Sequence, residues 1–169
     1  MVETEALENI ISKCRLTKVV HALPKSVLGY YFSDLEDYIV LINESILSDY
    51  KLYRVVLAEE IGHHMTTIGD ITPRKYMCYR DRLTIDKQEL LALKWATDFL
   101  IPTASLLTAI RDKLVTSIHE LVEYFNVTHE FLSRKFEFMG RQNPMWDIGE
   151  DRVLCLHNLP AVHIFKKFS

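Results

Sequence analysis

The sequence predicts an α+β fold: a small antiparallel sheet packed on a ligand-bearing helix, followed by a helical C-terminal part. Two observations carry this. Two runs rich in aromatic and β-branched residues, Leu28 to Phe32 and Tyr38 to Ile42, flank the polar stretch Ser33-Asp34-Leu35-Glu36-Asp37 and read as a hairpin. Around them, apolar residues recur at helical spacing before residue 16 and through most of 49 to 138.

Taken in order, Glu3 to Arg15 carries Ala6, Leu7, Ile10, Ile11 and Cys14 on one face and predicts an amphipathic helix. Val19, Val20, Ala22 and Leu23 before Pro24 form a short extended segment, and the hairpin comes next. Asn43 to Ser48 leads into a helix starting near Asp49, a side chain suited to capping its first turn. Leu91, Ala92, Trp95, Ala96 and Phe99, extended by Leu90 and Leu100, give a buried helix with Glu89 near its start. After Pro102, Thr103 to Thr116 and Ile118 to Tyr124 are helical, and Asn126-Val127-Thr128 breaks to a further helix through Phe138. The tail is read as loop over Gly140 to Gly149, then as two short strands, Arg152 to Leu156 and Ala161 to Phe165, around Asn158-Leu159-Pro160. We expect a single domain, 1–169, with a core at about 1–102, a helix-turn-helix-like part at about 103–139 and a tail at about 140–169.

Composition narrows the class. With 169 residues, 49% of them hydrophobic, the chain can bury one sizeable core. No apolar run of about 18 residues and no charged-then-apolar leader is seen, which predicts neither a membrane span nor a signal peptide. Cys14, Cys78 and Cys155 have no C-x-x-C spacing and read as reduced thiols, so a cytoplasmic location is expected. A net charge of −3 supplies no broad basic surface for nucleic acid. In the last predicted helix Arg134 and Lys135 are offset by Glu130 and Glu137, and Phe131, Phe136 and Phe138 read as packing, so direct DNA binding is not expected. The basic run Arg74 to Lys87 reads as a solvated loop, with the rim of a cleft as its functional alternative.

The chemistry concentrates in Leu57-Ala58-Glu59-Glu60-Ile61-Gly62-His63-His64. Residues four apart share a helix face, so Glu59 and His63 can point at one metal ion while Glu60 borders the same cleft as a base. The shifted pair Glu60 and His64 has the same spacing but puts Ile61 where the base must stand. A catalytic zinc ion takes three protein ligands, and Glu89, a carboxylate opening a core-facing helix, is the best third. Gly62 weakens the helix interior by up to about 1 kcal/mol relative to alanine, which points to a backbone passing close by.

The same text resembles the ImmA/IrrE-type metallopeptidases of phages, integrative elements and bacterial stress responses. Their pattern is an H-E-x-G-H-H/Y helix and an E-x-x-A-x-x-F/W-A helix ending in a Leu-Ile/Met-Pro run. The counterparts here are Glu59 to His64, then Glu89 to Ala92, Trp95-Ala96 and Leu100-Ile101-Pro102. The strand pair Gly29 to Asn43 and the stretch Glu120 to Leu132 extend the likeness over roughly 25–138. The resemblance implies a thermolysin-like site in which Glu59, His63 and Glu89 hold zinc and Glu60 is the general base. It also implies a zinc-dependent endopeptidase, and as substrate a repressor carrying a helix-turn-helix. The departure is Glu59, which stands in the place of a histidine ligand.

Two carboxylates and one imidazole neutralise a divalent ion, make it a weaker activator of water, and shift preference from Zn2+ toward harder ions such as Mn2+. A non-catalytic module of the same fold that holds a repressor or another regulatory protein is therefore the alternative. Tyr79, His64 and His119 are the nearest chemical types for the second acid or oxyanion donor that proteolysis needs.

Overall fold

The computed structural model describes residues 2–33, 37–66, 79–112 and 117–166, with 79–86 given by their helical backbone alone. The chain divides into two compact units, Val2–Ala96 and Thr97–Ser169.

The first unit is built on one central helix. Helix α1 (Thr4–Lys13), strands β1 (Thr17–His21), β2 (Gly29–Ser33) and β3 (Tyr38–Asn43), and a 3₁₀ turn (Glu44–Ile46) precede α2 (Tyr50–Thr66). Asp49 caps α2 as its sequence predicts, its Oδ1 accepting from Leu52 N at 3.0 Å. Arg54, Val55, Val56, Leu57 and Ala58 are buried in succession. A helix covered on all sides buries such an unbroken run, and α2 is contacted by α1, the 3₁₀ turn, β2 and β3. Leu7 and Ile11 of α1 and Val40 and Ile42 of β3 complete that core.

The sheet order is β1-β3-β2, which leaves β2 at an edge. The expected antiparallel pairing of the two aromatic runs is present, with Gly29 opposite Ile42 and Tyr31 opposite Val40. The extended segment before Pro24 also enters the sheet, parallel to β3, with Val19 opposite Leu41. Buried Asn43 ties off the corner, its Nδ2 donating to the Val27 carbonyl at 2.7 Å and its Oδ1 accepting from Ser45 N at 3.1 Å.

Helix α3 (Tyr79–Leu100) closes the first unit and runs into the second. Gly62 of α2 is the contact point: a Cβ there would lie 2.5 Å from the Ala92 carbonyl oxygen. The helix-weakening glycine thus marks the close approach of α3. Of the basic run, positions 74–78 and the side chains of 79–86 lie outside the described residues, and Lys87 is exposed.

The second unit holds α4 (Thr103–Arg111), α5 (Ile118–Phe125), α6 (His129–Gln142), β4 (Met145–Gly149), β5 (Arg152–Cys155) and β6 (His163–Lys166). Ser117 and Thr128 cap α5 and α6 by accepting from Glu120 N and Phe131 N, each at 3.2 Å, and Asn126 ends α5 in the left-handed conformation at φ 52°. Both helices face inward with Leu121, Phe125, Phe131, Leu132 and Phe136. Lys135 is fully buried and donates to Asp98 Oδ1 at 2.6 Å and Thr103 Oγ1 at 2.9 Å, while Arg134 pairs with Glu137 at 2.9 Å.

The segment Gly140 to Gly149, expected as loop, is instead the end of α6 followed by β4. Its strand signal is the alternation of Trp146 and Ile148, less exposed than Met145 and Asp147, with Trp146 Nε1 donating to the Met139 carbonyl at 3.3 Å. The Asn143-Pro144 pair masks it in sequence. The two short strands expected after Gly149 are present as β5 and β6, and β4-β5-β6 form an antiparallel sheet. Among the described residues no single helix is long and apolar enough to cross a membrane.

Candidate functional site

Three chemical groups meet between α2, α3 and the edge of β2. The deepest is Glu60, which is only 9% exposed. Its carboxylate lies against β2, where a Cβ added to Gly29 would stand 2.6 Å from Glu60 Oε1. Burial, with the negative charges of Glu59 and Glu89 in support, pushes the Glu60 carboxyl up to about 7, although His63 and the backbone N–H of Tyr31 pull the other way. A carboxyl held there can both take and return a proton near neutral pH.

His63 lies one turn further along α2, on the same side. The tight Gly62–Ala92 contact brings α3 close enough for Glu89, one turn before Ala92, to reach it, and His63 Nε2 stands 3.4 Å from Glu89 Oε2. Burial alone would lower the imidazole, but Glu89, Glu60 and Glu59 together outweigh it, so His63 holds its proton more tightly than an ordinary histidine. Its other nitrogen, Nδ1, is buried with no hydrogen-bond partner among the described residues.

Glu60, His63, Glu89 and Gln88 from the helices and Gly29, Tyr30 and Tyr31 from β2 line one cleft of about 140 Å³. Of the four residues singled out from sequence, the cleft therefore gathers three. Glu59 is half-buried and does not line it, although its charge is felt by both Glu60 and His63. Among the described residues no three His, Cys, Asp or Glu side chains converge at metal-binding distance.

Of the candidates for a second acid, His64 does not line the cleft. His64 turns to β2, where its Nδ1 and the Tyr31 hydroxyl are 3.0 Å apart and the rings of Tyr31 and Tyr38 meet it edge-on. Burial lowers its pKa. His119 sits exposed on α5 in the second unit, and the side chain of Tyr79 lies outside the described residues.

Two residues of β2 escaped the sequence reading. Gly29 gives the strand its close approach to Glu60, and Tyr31 places its backbone beside Glu60, its ring parallel to that of His63 at 6.5 Å and its hydroxyl on His64. The signal available for both was the glycine opening an aromatic strand next to the ligand helix.

Compared with known protein families, residues 18–137 match the IrrE N-terminal-like domain of peptidase family M78. The match runs from β1 into α6 and contains the whole cleft. The chain belongs to this family. No curated protein and no solved structure matches it significantly.

An M78 peptidase-like domain implies a metal cofactor, and the residues present can be tested against one. Two donors bound at roughly 2.0 to 2.2 Å to one tetrahedral ion stand about 3.4 Å apart. That is the separation of His63 Nε2 and Glu89 Oε2, so this pair fits one edge of such a coordination shell. The M78 cleft thus places one nitrogen and one carboxylate oxygen at that spacing, with a buried carboxyl beside them.

Proposed function

We propose that this M78 domain is a metal-dependent endopeptidase acting on a regulatory protein of the repressor type, in the cytoplasm. The observation that carries the reading is the convergence of Glu60, His63 and Glu89 on one cleft beside β2, an edge strand of its sheet. His63 and Glu89, with Glu59 one turn before His63 on α2 as the third donor, would hold one divalent cation, Zn2+ or Mn2+. When bound, that cation supplies Lewis-acid polarisation of the scissile carbonyl and a more acidic water.

Glu60 is the general base. It takes the proton of the attacking water and passes it to the leaving amine, a double duty open to a carboxyl buried in the cleft beside the cation. Away from the Tyr31 N–H that Glu60 takes, the outer edge of β2 would offer backbone groups to an extended substrate segment running past the cleft.

One observation favours the second reading, a binding module that holds its partner intact: Glu59 stands outside the cleft that gathers the other three. Purification without chelator, followed by metal analysis and incubation with a helix-turn-helix repressor, separates the two. One cation per chain together with a cut repressor supports the enzyme. A metal-free protein that retains the uncut repressor supports the module.

A further inference from the structure

Gly29 is where β2 touches the proposed base. A Cβ at this position would lie 2.6 Å from Glu60 Oε1, 2.9 Å from Glu60 Cγ and 2.6 Å from Val56 Cγ1. Its backbone does not adopt the left-handed angles that glycine alone takes readily, as Gly149 does at φ 83°. A glycine inside a strand weakens the strand and often marks a site of close approach. What position 29 contributes is therefore room.

The register shows what the room is for. Asn43 N donates to the Leu28 carbonyl, which makes Leu28 a ladder residue and turns the backbone groups of Gly29 and Tyr31 to the outer edge of the sheet. The Glu60 carboxylate rests against this outer edge, beside Gly29 and facing the Tyr31 N–H. Of the atoms a methyl group would meet, the end of a glutamate is free to swing, whereas β-branched Val56 is stiff.

We propose that Gly29 is the positioning residue of this cleft: without a side chain it lets β2 close on Glu60 and hold the carboxylate on the side of His63 and Glu89, and any side chain there drives the carboxylate out. The inference rests on the reading of Glu60 as the base, and it adds a strand residue to the machinery otherwise supplied by helices.

The test uses the full chain with Val56→Ala as background, which removes the second clash. Gly29→Ala in that background lowers the thermal unfolding midpoint, leaves calorimetric Zn2+ affinity within about twofold, and lowers kcat for repressor cleavage on the order of 100-fold with KM held, the loss expected of a reacting group misplaced by about 1 Å. Adding Glu60→Asp, one methylene shorter, restores the midpoint and part of kcat. The midpoint loss also vanishes when Gly29→Ala is combined with Glu60→Ala. An equal midpoint loss with and without the Glu60 side chain, or an unchanged kcat, overturns the proposal. Should the background protein cleave nothing, the peptidase reading fails, while the coupling of positions 29 and 60 in the midpoints still decides whether Gly29 seats this carboxylate.

Discussion

His63 Nε2 and Glu89 Oε2 face each other at 3.4 Å across the gap between two helices that Gly62 allows to touch. The His63–Glu89 pair and the glycine are one construction: the helices approach because residue 62 lacks a side chain, and the approach sets the separation of the pair.

Gly62→Ala should therefore destabilise the protein although alanine is the better helix former. The propensity gain is about 1 kcal/mol, but the new methyl would sit 2.5 Å from a backbone oxygen that cannot swing away. Overpacking of this kind costs typically about 1 to 3 kcal/mol, so a small net loss in urea unfolding is expected, together with weaker divalent-cation binding. A stabilised variant with unchanged cation affinity would show that the helix contact does not set the site.

Glu59→His should raise Zn2+ affinity, because it replaces a hard oxygen donor by an imidazole nitrogen and restores the H-E-x-x-H set. A rise of about tenfold corresponds to about 1.4 kcal/mol in a calorimetric titration. Unchanged affinity would remove Glu59 from the ligand set and leave His63 and Glu89 to hold the ion with other donors.

Without metal, the cleft should make stability depend on pH. The folded state keeps the Glu60 proton up to about 7, against an ordinary value of 4.5. Between these values the native protein binds more protons than the unfolded chain, so stability falls as pH rises from 4.5 through about 7. At 1.36 kcal/mol per pH unit, the loss is on the order of 3 kcal/mol. His63, whose pKa is also raised, adds to the fall with the same sign. Unfolding in chelator across this range should show the decline, and Glu60→Gln should remove the larger part of it. A chelated protein whose stability is flat or rises over the window would mean that Glu60 is ionised in the native state.

Much of this arrangement was legible in the chain. The helical period places Glu59, Glu60 and His63 on neighbouring faces of one helix, Asp49 announces its start, and Gly62 signals a neighbour. Glu89 was singled out as a carboxylate near the start of an apolar helix; α3 in fact begins at Tyr79, so Glu89 lies mid-helix and exposed, and it still meets His63 at 3.4 Å. The period does not reveal side-chain direction, and Glu59 stays out of the cleft that Glu60 enters. Strand alternation likewise separates two faces without saying which meets a helix, so Gly29 and Tyr31 passed as ordinary strand residues. The parallel pairing of β1 with β3 depends on a partner some twenty residues away, and β4 was hidden behind Asn143-Pro144.

The most direct test of the central claim compares wild type with Glu60→Gln in cleavage of a helix-turn-helix repressor, with bound metal measured in the same samples. Glutamine keeps the size and one oxygen of the side chain but cannot take a proton. The account predicts equal metal content and a fall in kcat of about 10² to 10⁴-fold, the contribution of a positioned acid-base group. Cleavage by Glu60→Gln at the wild-type rate would contradict it.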